Sequence, residues 1–200
     1  MKYTLKKNEI ILASKSKVRE EILKKNGISC AVVASNIDEE PIKDSLINEG
    51  ATPELISKNL AEAKAIKVSS KYKAFLVLGA DSVIDLENKI ISKPKNRIEA
   101  LEILKKLNGK EHHLISSVTI AKNGSKIWNH TEKAKLKMKN FTLDQLKEYL
   151  TKISDIALYS YNVYQIEGEG KTLFSRIEGD EDTIMGLPVK KIKEYLKKLL

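Results

Sequence analysis

The residues of this 200-residue chain best suited to chemistry are a few acids and hydroxyls set among small residues and cations. Ser14-Lys15-Ser16 follows a short apolar strand over 9–13 and precedes a helix over 17–26 that Gly27 would end. At such a junction free amides, the positive end of a helix and two hydroxyls converge, which favours phosphate. Ser16 fits equally as a simple N-cap. Arg19, one turn into the helix, either reaches over the same spot with its planar fork of donors or stays in solvent. Asp81 ends an apolar strand directly after Gly79 and Ala80, whose small side chains allow something to approach closely. A buried or half-buried acid calls for a partner, although an Asx turn accounts for the same string. Lys93 is held extended by Pro94, which aims its ammonium at a defined place. Lys64 borders the apolar stripe of its helix, where the alternative is a packed stem with the ammonium in water.

Several other chemistries are excluded by pattern. The chain has no Walker-type phosphate loop, no Gly-x-Gly-x-x-Gly, no Gly-x-Ser-x-Gly elbow and no His-Glu-x-x-His pair. His112-His113 and His130 lack metal-ligand spacing with other donors and read as surface residues of strands. The single cysteine, Cys30, rules out an internal disulfide and reads as a buried packing residue of an apolar stretch.

Composition sets the class. With 42% apolar residues the chain can bury a core as one domain over 1–200, or as two lobes around a shared cleft. No apolar run is long enough to span a membrane and the first residues lack a signal-peptide core, so the expected compartment is the cytoplasm. The net charge of +9 suits a nucleic acid or an anionic small molecule. Lysines are dispersed, arginine occurs only at 19, 97 and 176, and aromatics do not alternate with basic residues; nucleic acid is therefore the less favoured partner.

The elements that must position these residues alternate first and then pair. A second strand over 29–35 is followed by a long, acidic, mobile loop over 36–51. Thr52-Pro53-Glu54 opens a helix with Ile56, Leu60, Ala63 and Ile66 as its apolar stripe. A strand over 75–78 runs into Gly79-Ala80-Asp81-Ser82, continues extended, and returns over 89–92 after a turn at Glu87-Asn88. Asn96 and Glu99 resemble a capping box for a helix over 97–107, as Thr142 and Gln145 do for one ending near 152. Between them, strands over 113–121 and 126–138 are joined by Asn123-Gly124, both tolerant of positive φ. After 161 come short strands and Gly-bearing loops, and Pro188 starts a final amphipathic helix. This order predicts an α/β fold with a mixed twisted sheet and flanking helices.

Taken in order, these segments resemble the Maf family of nucleotide pyrophosphatases over nearly the whole chain, from 10 to 187. The family's Ala-Ser-x-Ser-Pro-Arg-Arg-x-x-Leu-Leu stands here as Ala13-Ser14-Lys15-Ser16-Lys17-Val18-Arg19-Glu20-Glu21-Ile22-Leu23. Its acidic pair is Asp38-Glu39, and its Leu-Ala-x-x-Lys-Ala is Leu60-Ala61-Glu62-Ala63-Lys64-Ala65. Gly79-Ala80-Asp81-Ser82, Ser92-Lys93-Pro94, Leu107-Asn108-Gly109-Lys110-Glu111-His112, Tyr164-Gln165-Ile166-Glu167-Gly168, Ile177-Glu178-Gly179-Asp180 and Gly186-Leu187-Pro188 complete the set. The sequence departs from the family at Lys17 and Val18, where Pro and an arginine are usual, so Arg19 or Lys17 would replace the missing guanidinium. It departs again at Asp155-Ile156-Ala157-Leu158-Tyr159-Ser160-Tyr161, which would reshape the base or dimer surface.

The resemblance implies two lobes around a central cleft and hydrolysis of a nucleoside triphosphate to the monophosphate and pyrophosphate, removing non-standard nucleotides. It implies Asp81 as proton acceptor, with Ser14, Ser16, Arg19, Lys64, Lys93 and Gln165 binding substrate. Asp38, Glu39 and Asp81 would hold a divalent cation, magnesium or manganese, with ribose contact the alternative for Asp38 and Glu39, and with Glu167 beside Gln165 at the base. A homodimer is the family's implied state. The tail pattern leans toward a methylated guanine triphosphate over dTTP or UTP. The alternative is a non-catalytic nucleotide- or RNA-binding protein.

Overall fold

The computed structural model describes residues 10–155, 158 and 163–199. β3 (Val77–Leu86) is the spine of a seven-stranded mixed sheet. β1 (Ile10–Leu12) pairs parallel with both β2 (Cys30–Val32) and β3, while β5 (Glu111–Lys122) lies antiparallel along β3 from Val77 to Asp85. β6 (Ser125–Met138) and β7 (Phe174–Glu178) extend the antiparallel half, and β4 (Lys89–Ile91) folds back on the end of β3.

This topology leaves a gap. β1 pairs with β3 only at Val77 and Leu78, and β4 only from Ile84 onward. Both occupy the edge that β5 leaves open, so Gly79 to Val83 has, among the described residues, no strand on that side. Asp81 therefore stands in the middle of one continuous strand, correcting the expectation that the strand ends there. The point at which parallel pairing gives way to antiparallel pairing is where an open α/β sheet forms a crevice.

Helices cover the two halves separately. α1 (Lys17–Lys25) and α7 (Val189–Leu199) bury Val18, Ile22, Leu23, Val189 and Ile192 against Leu12, Leu78 and Ile120. α4 (Arg97–Leu107) and α5 (Leu143–Lys152) bury Leu104, Leu107, Leu146 and Tyr149 in a second core with Leu114, Leu136 and Phe174. Two cores on either side of the gap produce the expected two lobes. The Asn123-Gly124 turn forms with φ of 54° and 77°, and the Thr142 and Gln145 capping box is complete. At α4, Asn96 accepts from the Glu99 amide, but the Glu99 carboxylate takes the amide of Lys95, one residue before a true capping box.

α3 (Pro53–Lys71) crosses directly over the gap, opened by Thr52 as read from the sequence. Its buried face is not the expected one: Ala61, Lys64, Ala65 and Val68 point inward with Ile56 and Leu60, whereas Ala63 and Ile66 are only partly buried. The reason is Gly79. A Cβ there would lie 2.3 Å from the carbonyl oxygen of Ala61 and 2.7 Å from the amide nitrogen of Ala65. The small residues thus admit helix backbone to strand backbone, and this contact sets the helical phase that carries Lys64 inward.

Other expectations are corrected. The acidic segment 36–51 is not a loop but contains α2 (Glu39–Asn48), a helix with no buried residue. Glu39 and Glu40 favour its positive end and Pro41 is tolerated in its first turn, a signal present in the sequence but masked by the weak apolar stripe. β2 spans only three residues, and Cys30, on this edge strand, is half-buried rather than buried. His112 is 1% exposed, not a surface residue, because its Nε2 lies 2.9 Å from the Tyr164 hydroxyl inside the second core. After the 3-10 turn Glu169–Leu173 and β7, the tail forms a short helix, α6 (Glu181–Ile184). Most of the divergent stretch 155–161 lies outside the described residues.

Candidate active site

The gap beside β3 opens into a cleft of about 930 Å³ that both lobes line. Ser14, Lys15, Ser16, Arg19, Glu39, Lys64, Asp81 and Lys93 line it; three residues further along β3, Ile84 pairs with Ile91 and Leu114, and these line it with Ile166, Ile184 and Met185 of the second core and with Gln165 and Glu167. One end is therefore hydroxylic and charged, and the other mainly apolar.

Asp81 is 6% exposed and Lys64 7%. Lys64 Nζ donates to Asp81 Oδ1 at 2.7 Å and to Glu39 Oε2 at 2.9 Å, so the first turn of α2 closes over the pair formed by α3 and β3. Asp81 Oδ2 is buried and has no hydrogen-bond partner among the described residues. Burial pushes the Asp81 carboxyl above the usual aspartate range; Lys64 and Arg19 oppose that rise and Glu39 adds to it.

The Ser14 turn is built to donate. Ser14 Oγ accepts from the Ser16 amide at 3.2 Å and from Arg19 Nη1 at 3.3 Å, which leaves its own hydrogen to give away. Ser16 caps α1 by accepting from the Arg19 amide at 3.4 Å, so it is an N-cap that also lines the cleft.

Arg19 reaches over the Ser14 turn, and three further hydrogen bonds tie it to the protein. Nε donates to Gly186 O at 2.9 Å, Nη1 to Ala80 O at 3.0 Å, and Nη2 to Ser82 Oγ at 3.0 Å. Burial draws its pKa down while Asp81 and Glu39 draw it up, and a guanidinium stays charged throughout. Lys93 lines the cleft from the extended segment before Pro94. Although solvent-exposed at the rim, it sits among the cleft walls, and desolvation followed by the Arg19 charge lowers its pKa.

Val18 is 4% exposed and packs in the first core, on the side of α1 away from the cleft. Lys17 is exposed and is not part of the cleft wall. Both positions of departure therefore lie outside the cleft lining. Asp38, at the N-cap of α2, is exposed and outside the cleft wall, while its neighbour Glu39 turns in. Gln165 lies across the cleft, its Nε2 donating to Glu167 Oε1 at 3.0 Å. Lys43 and Glu40, paired at 2.7 Å on α2, also reach the cleft; only the helical period of 36–51 could have shown that they share a face with Glu39.

Two carboxylates on one ammonium, with an unpartnered carboxylate oxygen, suit a cation, while the hydroxyl turn and Lys93 on the same cleft suit an anion. The Maf-like protein family model matches residues 9–199. A nucleoside triphosphate pyrophosphatase of Pelagibacter ubique (strain HTCC1062) is 68% identical over 189 residues, covering 94% of this chain and 97% of that one. A 7-methyl-GTP pyrophosphatase of Brucella abortus biovar 1 (strain 9-941) is 40% identical over 181 residues, 90% of this chain and 91% of the relative. A nucleoside triphosphate pyrophosphatase of Paramagnetospirillum magneticum (strain ATCC 700264 / AMB-1) is 38% identical over 187 residues, 94% and 96% respectively. Matched in this way from the first strand to the last helix, the chain belongs to the Maf-like protein family.

Proposed function

We propose that the chain hydrolyses a nucleoside triphosphate to the monophosphate and pyrophosphate in this cleft, with Asp81 as the base. The observation that carries the reading is the Asp81 carboxyl itself: one oxygen held by Lys64 at 2.7 Å, the other buried and without a partner among the described residues, on the wall of a cleft whose nearby groups are cations, hydroxyls and the Glu39 carboxylate. The names of the relatives support the same reaction.

The charged end takes the triphosphate and the apolar end the base. Asp81 orients a water and accepts its proton as the new oxygen–phosphorus bond forms at the α-phosphorus; the bond to the bridging oxygen breaks and pyrophosphate leaves. A base with a raised pKa accepts that proton more readily than an ordinary aspartate does. Lys64 and Lys93 balance negative charge on the phosphate chain, and the Ser14 hydroxyl donates to it, electrostatic positioning being the main contribution a protein makes to phosphoryl transfer.

A divalent cation fits the acids present. Asp81 Oδ2 and Glu39 supply hard oxygen donors, and among the described residues no cluster of three His, Cys, Asp or Glu could hold an ion alone. That suits magnesium or manganese, ions that bind through one or two carboxylates and complete their shell with water and phosphate. When bound, the ion would neutralise phosphate charge. Asp81 and Glu39 would hold it; Asp38, outside the cleft, is less well placed than the sequence suggested.

Gln165 and Glu167 face the base. An acidic side chain at the apolar end suits a base carrying positive charge, as N7-methylguanine does, in line with the name of the Brucella abortus relative. The chain acts as a single domain in the cytoplasm and as a homodimer in the same proposal; sedimentation reads the dimer. No helix among the described residues is long and apolar enough to cross a membrane.

Pyrophosphate release from 7-methyl-GTP, GTP, dTTP and UTP, with and without magnesium or manganese, tests the activity. Metal-dependent release is expected from at least one, with Asp81→Asn lowering turnover by about a thousandfold while the protein stays folded. No release from any triphosphate, or near-normal release by the variant, would refute the assignment.

A further inference from the structure

The buried guanidinium of Arg19 takes no part in the proton transfer or the charge balance proposed above. Its hydrogen bonds have a direction that can be worked out. Ser116 Oγ lies 2.7 Å from the carbonyl oxygen of Thr183 and must donate to it. Having one hydrogen, Ser116 can then only accept at its 2.9 Å contact with Ser82 Oγ, so Ser82 is the donor there. Ser82 in turn accepts from Arg19 Nη2 at 3.0 Å. The result is a one-way chain from Arg19 through Ser82 and Ser116 to Thr183.

A second path runs to the same segment. Arg19 Nε donates to Gly186 O, and the Gly186 amide donates to Thr183 O at 3.0 Å. Segment 183–186 is thus held at both ends by one side chain that starts on α1. Between the two anchors lie Ile184 and Met185, which form part of the apolar end of the cleft. Arg19 Nη1, meanwhile, holds Ser14 Oγ and Ala80 O beside the charged end. Such a network is directional and every member depends on its neighbours, so its loss displaces groups beyond the one removed.

We propose that Arg19 is a positioning residue, not a phosphate ligand: through Ser82 and Ser116 it fixes segment 183–186 and thereby shapes the base-binding end of the cleft. The inference rests on the orientation of the nucleotide proposed above. It explains why a guanidinium at the charged end is bonded to carbonyls and hydroxyls and why Ser116, which does not line the cleft, is buried at 0% exposure with its hydroxyl engaged on both sides.

Titration calorimetry with separate probes tests it: inorganic tripolyphosphate for the charged end, and 7-methyl-GMP and UMP for the base end. Ser116→Ala is expected to weaken the better-bound monophosphate about tenfold and to leave tripolyphosphate within about twofold. Arg19→Lys, which keeps the charge but not the fork that also holds Ser14 Oγ, is expected to weaken the monophosphate more than it weakens tripolyphosphate. The double variant should be weaker than either single one by less than the product of their effects, since both break one chain. If Ser116→Ala unfolds, Ser82→Ala interrupts the same chain one link earlier and carries the same expectation.

A folded Ser116→Ala that binds both probes as the wild type does overturns the proposal. So does equal weakening of both probes, which makes the chain a general scaffold, and so does an Arg19→Lys that loses tripolyphosphate first, which makes the guanidinium a phosphate ligand. Wild-type protein that binds both probes yet releases no pyrophosphate would refute the proposed reaction and leave this test standing.

Discussion

Lys64 Nζ lies 2.7 Å from Asp81 Oδ1, and both side chains are buried. The ion pair joins α3 to β3 at the stretch of strand whose outer edge carries no partner strand among the described residues. The second oxygen of Asp81 is buried with no hydrogen-bond partner among the described residues.

The pH dependence of activity follows from that pair. Asp81 must be ionised to act as base, and its pKa is raised by burial, so kcat/KM should climb with pH through a limb above the usual aspartate range. Lys64→Met removes the main group that opposes the rise and should move that limb to higher pH, besides lowering turnover. Lys93, whose pKa is lowered, should contribute a falling limb below the ordinary lysine range; Lys93→Arg should move it to higher pH. A profile with its acid limb at ordinary aspartate values, unmoved in Lys64→Met, would contradict the assignment.

Gly79→Ala is expected to be severe for a backbone reason. The new methyl group would meet Ala61 O at 2.3 Å and Ala65 N at 2.7 Å, neither of which can turn aside. α3 must lift from β3, at a cost of about 2 kcal/mol or more. Because Lys64 rides on that helix, urea titration should show the loss of stability and the assay a loss of turnover in the protein that remains folded.

Restoring the family arginine at position 18 should not help. Val18 packs with Ile22 and Leu23 in the first core, so Val18→Arg would bury a charge among apolar groups. A loss of about 2 kcal/mol in urea unfolding is expected, with no gain in kcat/KM. A variant of wild-type stability with faster turnover would show that residue 18 reaches the phosphates.

His112 sets a stability window. Its pKa falls from 6.5 to about 4, chiefly through burial and then through the nearby His113. Between those values the unfolded chain holds the proton and the folded chain does not, so stability rises with pH across the window and is lost as pH falls through it. The contribution is on the order of 3 kcal/mol at most. His112→Gln keeps a partner for the Tyr164 hydroxyl but cannot titrate; the difference in unfolding free energy between pH 7 and pH 4.5 should shrink in this variant.

Much of the fold was readable because its signals are local. Thr52-Pro53-Glu54, Asn123-Gly124 and the Thr142 and Gln145 capping box act over four residues or fewer, and each formed where expected. α2 escaped because a helix that buries nothing has little apolar period to show, even with acids and a proline at its start. The residue types of the charged end were also visible: Ser14, Ser16, Lys64, Asp81 and Lys93 all line the same cleft.

Sequence alone determined which side chains carry donors, acceptors and charge, and roughly which element bears each, since those properties belong to a residue and its near neighbours. Tertiary structure decided what each one faces. A backbone contact at Gly79 set the phase of α3 and turned Lys64 from a solvated lysine into the partner of Asp81. Contacts 167 residues apart in the chain tied the Arg19 fork to Gly186, and the side of α1 that met the core made Val18 a packing residue. Burial and hydrogen-bond direction depend on groups far away along the chain, and no local pattern encodes them.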